Sequence, residues 1–241
     1  GKMKWNKPGC SGISIFSRGG REMNQTDIFD IMQAAIFDMD GTLIDSMGHW
    51  MTVDSRYLRK IGKEPKPDLQ ERLKSMTMRQ CAKFLKEDYG ITFSEDEIIE
   101  GINSLIASAY QKEIMEKEGI FDVLNRLKSQ NIPMAVITGS DKFLVETIFD
   151  RLQLSSYFDK IITCSEFGSG KDSPEIFLHT CRELGVSAAH TVVFEDAYYS
   201  MCVAKAAGFP VAAIWDPSNS PEEEQTRRLA DWYFSSWKEL A

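Results

Sequence analysis

The chain has 241 residues, enough for one large domain or a domain carrying a smaller one, with a core that needs no staples. A composition of 43% hydrophobic and 27% charged residues excludes an intrinsically disordered chain. With 28 basic against 36 acidic residues the net charge is −8, which argues against nucleic acid or an anionic membrane surface as partner, since both need clustered Lys and Arg.

Residues 1–32 are rich in Gly, Ser and Lys without a sustained periodic pattern, and read as a largely loose N-terminal extension. Within it, Gly19-Gly20-Arg21-Glu22 can all be encoded by purine-only codons, as a translated ribosome-binding site would be. A start at Met23, or at Met32, therefore stands beside an ordinary flexible arm as an expectation. Short apolar runs follow, at Ala34–Phe37, Met134–Ile137, Ile161-Ile162, Val192–Phe194 and Val211–Trp215, with Trp232–Phe234 as a short edge strand. They alternate with helical patterns at Phe121–Ser129, Lys142–Leu152 and Ser173–Leu184, the last with Pro174 in its first turn. That alternation predicts an α/β fold with a doubly wound parallel sheet, Rossmann-like, over residues 33–45 and 117–241.

Residues 46–116 contain no strand-like run. Met47–Ile61, Thr77–Tyr89 and Glu95–Glu116 carry apolar residues at three- and four-residue spacing, and Ser94 with Glu97 forms a capping box. An all-helical module inserted after the first strand is expected, its two connections inviting hinge motion. No apolar run is long enough to cross a bilayer, and no charged-then-apolar leader is read at the start. Cys10, Cys81, Cys164, Cys181 and Cys202 form no CxxC pair and do not cluster with histidine. The expectation is reduced thiols in a cytoplasmic protein, without a zinc site.

Three strand-like runs end in polar residues: Ala34–Phe37 in Asp38-Met39-Asp40-Gly41-Thr42, Met134–Ile137 in Thr138-Gly139-Ser140, and Val192–Phe194 in Glu195-Asp196. The carboxyl ends of parallel strands open on one crevice, so these side chains converge there, although any one strand-end Asp is more often a turn former or helix cap. Asp38 and Asp40, two apart in extended chain, can face one volume while Gly41 lets the chain turn away. Two close carboxylates need a cation or a raised pKa, and a few-carboxylate site suits magnesium, with Asp196 as a further oxygen ligand. Lys171, after the Gly168-Ser169-Gly170 loop, can neutralise an anion in the same crevice.

These residues resemble the four motifs of the haloacid dehalogenase superfamily, in the branch with a helical cap after the first strand: DMDGT at 38–42, Thr138, Lys171 and Glu195-Asp196. The resemblance runs from Gln33 to Ala241 and implies phosphoryl transfer through an aspartyl phosphate. It implies Asp38 as nucleophile and Asp40 as general acid, then base. Thr138 and Lys171 would hold phosphoryl oxygens, with backbone amides at Met39 and Gly139, and with Ser140, contributing to phosphate binding. Mg²⁺ would sit on Asp38, the Asp40 carbonyl and Asp196, with Glu195 acting through water or as an orienter. The second aspartate favours phosphate esters over carbon–halogen bonds, because halide needs no proton on leaving.

Several positions depart from the family pattern. Gly48 stands where many capped relatives carry Glu; His49 beside it is a candidate for the substrate entrance, and an ordinary exposed or satisfied helix histidine is the alternative. Asp172, Ala197 and Ser200 replace a usual Pro, Ser and Gly. In Lys74–Arg79, which resembles a substrate-facing cap loop, Arg79 is a candidate contact for a second anionic group, and an ordinary helix-surface Arg is the alternative. The expectation is a Mg²⁺-dependent phosphatase of a small, sugar phosphate-like metabolite, monomeric by default. A phosphomutase of the β-phosphoglucomutase type and a non-catalytic phosphometabolite-binding protein are the alternatives.

Overall fold

The computed structural model describes residues 25–73, 76 and 78–241. Among the described residues two compact units emerge: Ser46–Ile114, and a core unit of residues 25–45 together with Met115–Ala241.

Among the described residues the core unit carries a six-stranded sheet, formed by β1 (Ala34–Phe37), β2 (Met134–Thr138), β3 (Lys160–Thr163), β4 (Thr191–Glu195), β5 (Val211–Ile214) and β6 (Trp232–Phe234). The order is β3-β2-β1-β4-β5-β6, and every neighbouring pair is parallel. β1, β2, β4 and β5 are buried at every position, which is why they read as unbroken apolar runs rather than alternating ones: helices cover both faces. At one edge β3 exposes Lys160 and Ile161, and at the other β6 is only three residues long.

The register sets the level of the site. Phe37 lies opposite Val136 on one side and Phe194 on the other, so Asp38, Thr138 and Glu195 leave the sheet within a residue of one another. Beneath them Phe37 stacks on Phe194 with centroids 4.8 Å apart, and buried Trp237 packs against both. The Trp237 indole donates to the Thr42 carbonyl at 2.8 Å, tying the chain's end to the turn after β1.

Helices Met47–Lys60, Leu69–Leu73, Met78–Tyr89 and Glu95–Lys112 make up the second unit. Both bonds of the Ser94–Glu97 capping box are present. The last helix stops at Lys112, short of the Glu116 that its periodicity suggested. Glu116 instead bridges Ile44 in antiparallel fashion, and Asp45 N donates to the Met115 carbonyl at 2.8 Å, so the two connecting strands are paired.

The expected loose extension reaches too far. Gln25–Ile31 is helical, Ile28 is wholly buried, and Phe29 lies under the Arg126 guanidinium at 3.8 Å. One or two turns give too few repeats for a period to be read, so the burial of Ile28 and Met32 decides this segment instead. Residues 1–24, with the expected starts around Met23 and with Cys10, lie outside the described residues.

Candidate active site

Asp38 follows β1 directly. Its amide donates to the Phe194 carbonyl at 2.9 Å, which continues the ladder one residue past the strand and fixes the side chain's origin. Gly41, at φ 90°, then reverses the chain, and its amide bonds the Ile44 carbonyl at 2.9 Å. Between them Met39 is wholly buried, its carbonyl accepting from Leu43 at 2.9 Å.

Lys171 reaches in from the loop after the short helix Cys164–Phe167, which follows β3. Only 3% exposed, its ammonium donates to Asp38 Oδ1 and, at 2.8 Å, to Glu195 Oε1. The other Glu195 oxygen accepts from the amides of Asp196 and Ala197 at 2.9 and 2.8 Å, so Glu195 is braced at both ends. Asp38, Glu195 and Asp196 each offer a carboxylate oxygen within 4.8 Å of the other two.

Asp40 is met from β2. Ser140 Oγ donates to Asp40 Oδ2 at 2.5 Å, and the Ser140 amide donates to Thr138 Oγ1 at 3.0 Å. Thr138 itself is wholly buried. Ser140, expected at the phosphate, thus has the Asp40 carboxylate as its hydrogen-bond partner.

Electrostatics follow from burial. Loss of solvent, opposed by the Lys171 charge, pushes the Asp38 carboxyl from 3.8 up to about 7. Burial beside Asp38 and Glu195 drives Asp196 well up. Burial alone would lower Lys171, but the Asp38 and Glu195 charges hold it well above its ordinary value. For Glu195, burial is outweighed by Lys171 and by its hydrogen bonds, and its carboxyl is lowered.

The residues fit a hard divalent cation. Asp38 Oδ2 is buried and has no hydrogen-bond partner among the described residues, an expensive state that a cation would relieve. The donors are all oxygens, and three carboxylates around one ammonium leave two negative charges when ionised, the charge of a divalent ion.

The helical unit holds the two remaining candidates. Arg56 Nη1 donates to His49 Nδ1 at 3.1 Å and Nη2 lies 3.5 Å from Glu113, so His49 sits in a polar cluster of its own unit. Arg79, 60% exposed at its side chain, pairs with Asp96 at 2.7 Å and lies 3.7 Å from Glu95.

One contact has no counterpart in the motif reading. Asn219 Nδ2, in the turn after β5, donates to Asp196 Oδ2 at 2.7 Å. The available signal was positional: an amide side chain just past the carboxyl end of a strand.

The chain is similar to several known proteins. A phosphorylated carbohydrates phosphatase of Thermotoga maritima is 29% identical over 177 residues, covering 73% of this chain and 82% of that protein. The fructose-1-phosphate phosphatase of Escherichia coli is 26% identical over 191 residues, covering 74% and 94%. Among solved structures, a family IA, variant 3 HAD hydrolase of Entamoeba histolytica superposes with a TM-score of 0.72 at 26% identity, covering 87% and 96%. The haloacid dehalogenase-like hydrolase family model matches residues 35–214, and the chain belongs to that family.

Proposed function

We propose that the chain is a Mg²⁺-dependent phosphatase of a small, sugar phosphate-like metabolite, working through an aspartyl phosphate on Asp38. The observation that carries this reading is the state of Asp38: buried, one oxygen on Lys171 and the other without a hydrogen-bond partner among the described residues. A pure binding site has no use for such a carboxylate beside a second one, Asp40, held at its own oxygen by Ser140. The family, and the sugar phosphate phosphatases similar to this chain, support the substrate class.

Asp38, Asp196 and the Asp40 main-chain carbonyl would hold Mg²⁺, with Glu195 braced behind. When bound, the ion offsets charge between the carboxylate and the phosphate. An Asp38 oxygen forms the new bond to phosphorus as the ester P–O bond breaks. Asp40 gives its proton to the departing oxygen, then takes one from the water that attacks the acyl phosphate, releasing inorganic phosphate and restoring both carboxyls. Lys171 and Thr138 neutralise and orient the phosphoryl oxygens, while Lys171 keeps Asp38 from being a wholly uncompensated buried charge. The described cysteines are free thiols, in keeping with a reducing, cytoplasmic setting.

The test is phosphate release from a panel of hexose, pentose, nucleotide and short-chain phosphates, with Mg²⁺ and with EDTA. Mg²⁺-dependent release, highest on sugar phosphates, is expected. An isomerised sugar phosphate without free phosphate would replace this reading by a mutase, and binding without any turnover would replace it by a sensor.

A further inference from the structure

Asp196 is restrained from a part of the chain that carries none of the motifs. Asn219 lies in the 3₁₀ turn Pro217–Glu222 after β5, and its amide nitrogen donates to Asp196 Oδ2 at 2.7 Å. The turn is anchored in its own right. Asp216, 2% exposed, accepts at Oδ1 from the Ser218 amide at 2.9 Å and hydroxyl at 2.5 Å, and its carbonyl accepts from the Asn219 amide at 3.0 Å.

The other Asp216 oxygen takes Lys117 Nζ at 2.5 Å, and the Lys117 amide bonds the Leu43 carbonyl at 2.8 Å. A continuous chain of bonds therefore runs from the paired connections at 43–45 and 115–117, through Asp216 and Asn219, to Asp196.

Resting on the reading of Asp196 as a Mg²⁺ ligand, we propose that Asn219 is a positioning residue that orients the Asp196 carboxylate for the cation, and that Asp216 and Lys117 hold Asn219 in place. A carboxylate turns about its Cβ–Cγ bond, and a donor on one oxygen fixes its plane, leaving the other oxygen to coordinate. An amide suits this position for a chemical reason. A neutral donor orients the ligand without taking up the charge the cation needs, as a lysine would. Lys117 complements it by balancing Asp216, which would otherwise add another buried anion to a cluster already rich in them.

The experiment follows Mg²⁺ titration by thermal shift and by phosphate release for the unaltered chain, Asn219→Ala, and Ile28→Ala as a stability control in the helix that precedes β1. The proposal expects the half-saturating Mg²⁺ concentration of Asn219→Ala to rise about ten- to a hundredfold. At saturating Mg²⁺ its kcat should stay close to that of the unaltered chain, and Ile28→Ala should keep the original half-saturation despite a lower Tm. An unchanged half-saturation in Asn219→Ala overturns the proposal, as does an equal rise in Ile28→Ala, which would make the effect one of stability. If the unaltered chain shows no response to Mg²⁺ by either readout, the metal reading itself falls, an outcome separate from the failure of Asn219 alone.

Discussion

Ser140 and Asp40 stand 100 positions apart in sequence and share a 2.5 Å hydrogen bond. The serine fixes the plane of the carboxyl group proposed to move the proton, so its loss should show in turnover more than in substrate binding. Ser140→Ala is expected to lower kcat about tenfold, a fraction of the roughly 10²–10⁴-fold that a positioned acid–base group supplies, with KM changed little. Steady-state kinetics on the best panel substrate check this; a raised KM with unchanged kcat would instead put Ser140 on the substrate's phosphate. At this scale the acids were legible, because each ends an apolar run and parallel strands release their ends into one crevice. The partnerships were not: that Ser140 faces Asp40, or that Asn219 reaches Asp196, depends on loop conformations that no period encodes.

Elements were legible where their burial has a period or a continuous run. The four fully buried strands announced themselves by unbroken apolar runs, and the Ser94–Glu97 box by its three-residue spacing. Short helices were not, since Leu69–Leu73 and Gln25–Ile31 span too few turns for a pattern to emerge. The second has a stability consequence. Ile28 is wholly buried, and truncating a buried Ile to Ala removes transfer energy and leaves a cavity, so Ile28→Ala should destabilise the core unit by about 2–5 kcal/mol. Denaturant unfolding measures it, and a change below about 0.5 kcal/mol, the range of surface substitutions, would mean that the helix does not pack in solution.

For the whole molecule, buried carboxylates link stability, pH and cation. With Asp38 raised from 3.8 to about 7, the folded chain without a cation keeps a proton that the unfolded chain has released. This carboxyl therefore subtracts increasingly from stability as pH rises across that window, and Asp196, also raised, acts in the same direction. A cation competes with those protons, so its stabilisation must grow with pH. Saturating Mg²⁺ should raise Tm more at about pH 8 than at about pH 5.5; an equal or reversed difference would show that the cation does not bind at these acids. The net charge of −8 argues against a polyanionic partner, and among the described residues no helix is long and apolar enough to cross a membrane.

In the proposed mechanism Asp38 carries the phosphoryl group. The decisive measurement compares Asp38→Asn with the unaltered chain at saturating Mg²⁺ on the best substrate, with folding verified by Tm. The amide keeps the shape and removes the nucleophile. Phosphate release is expected to fall by at least about a thousandfold while the protein stays folded. Release within about tenfold of the unaltered chain would contradict an aspartyl phosphate at this position.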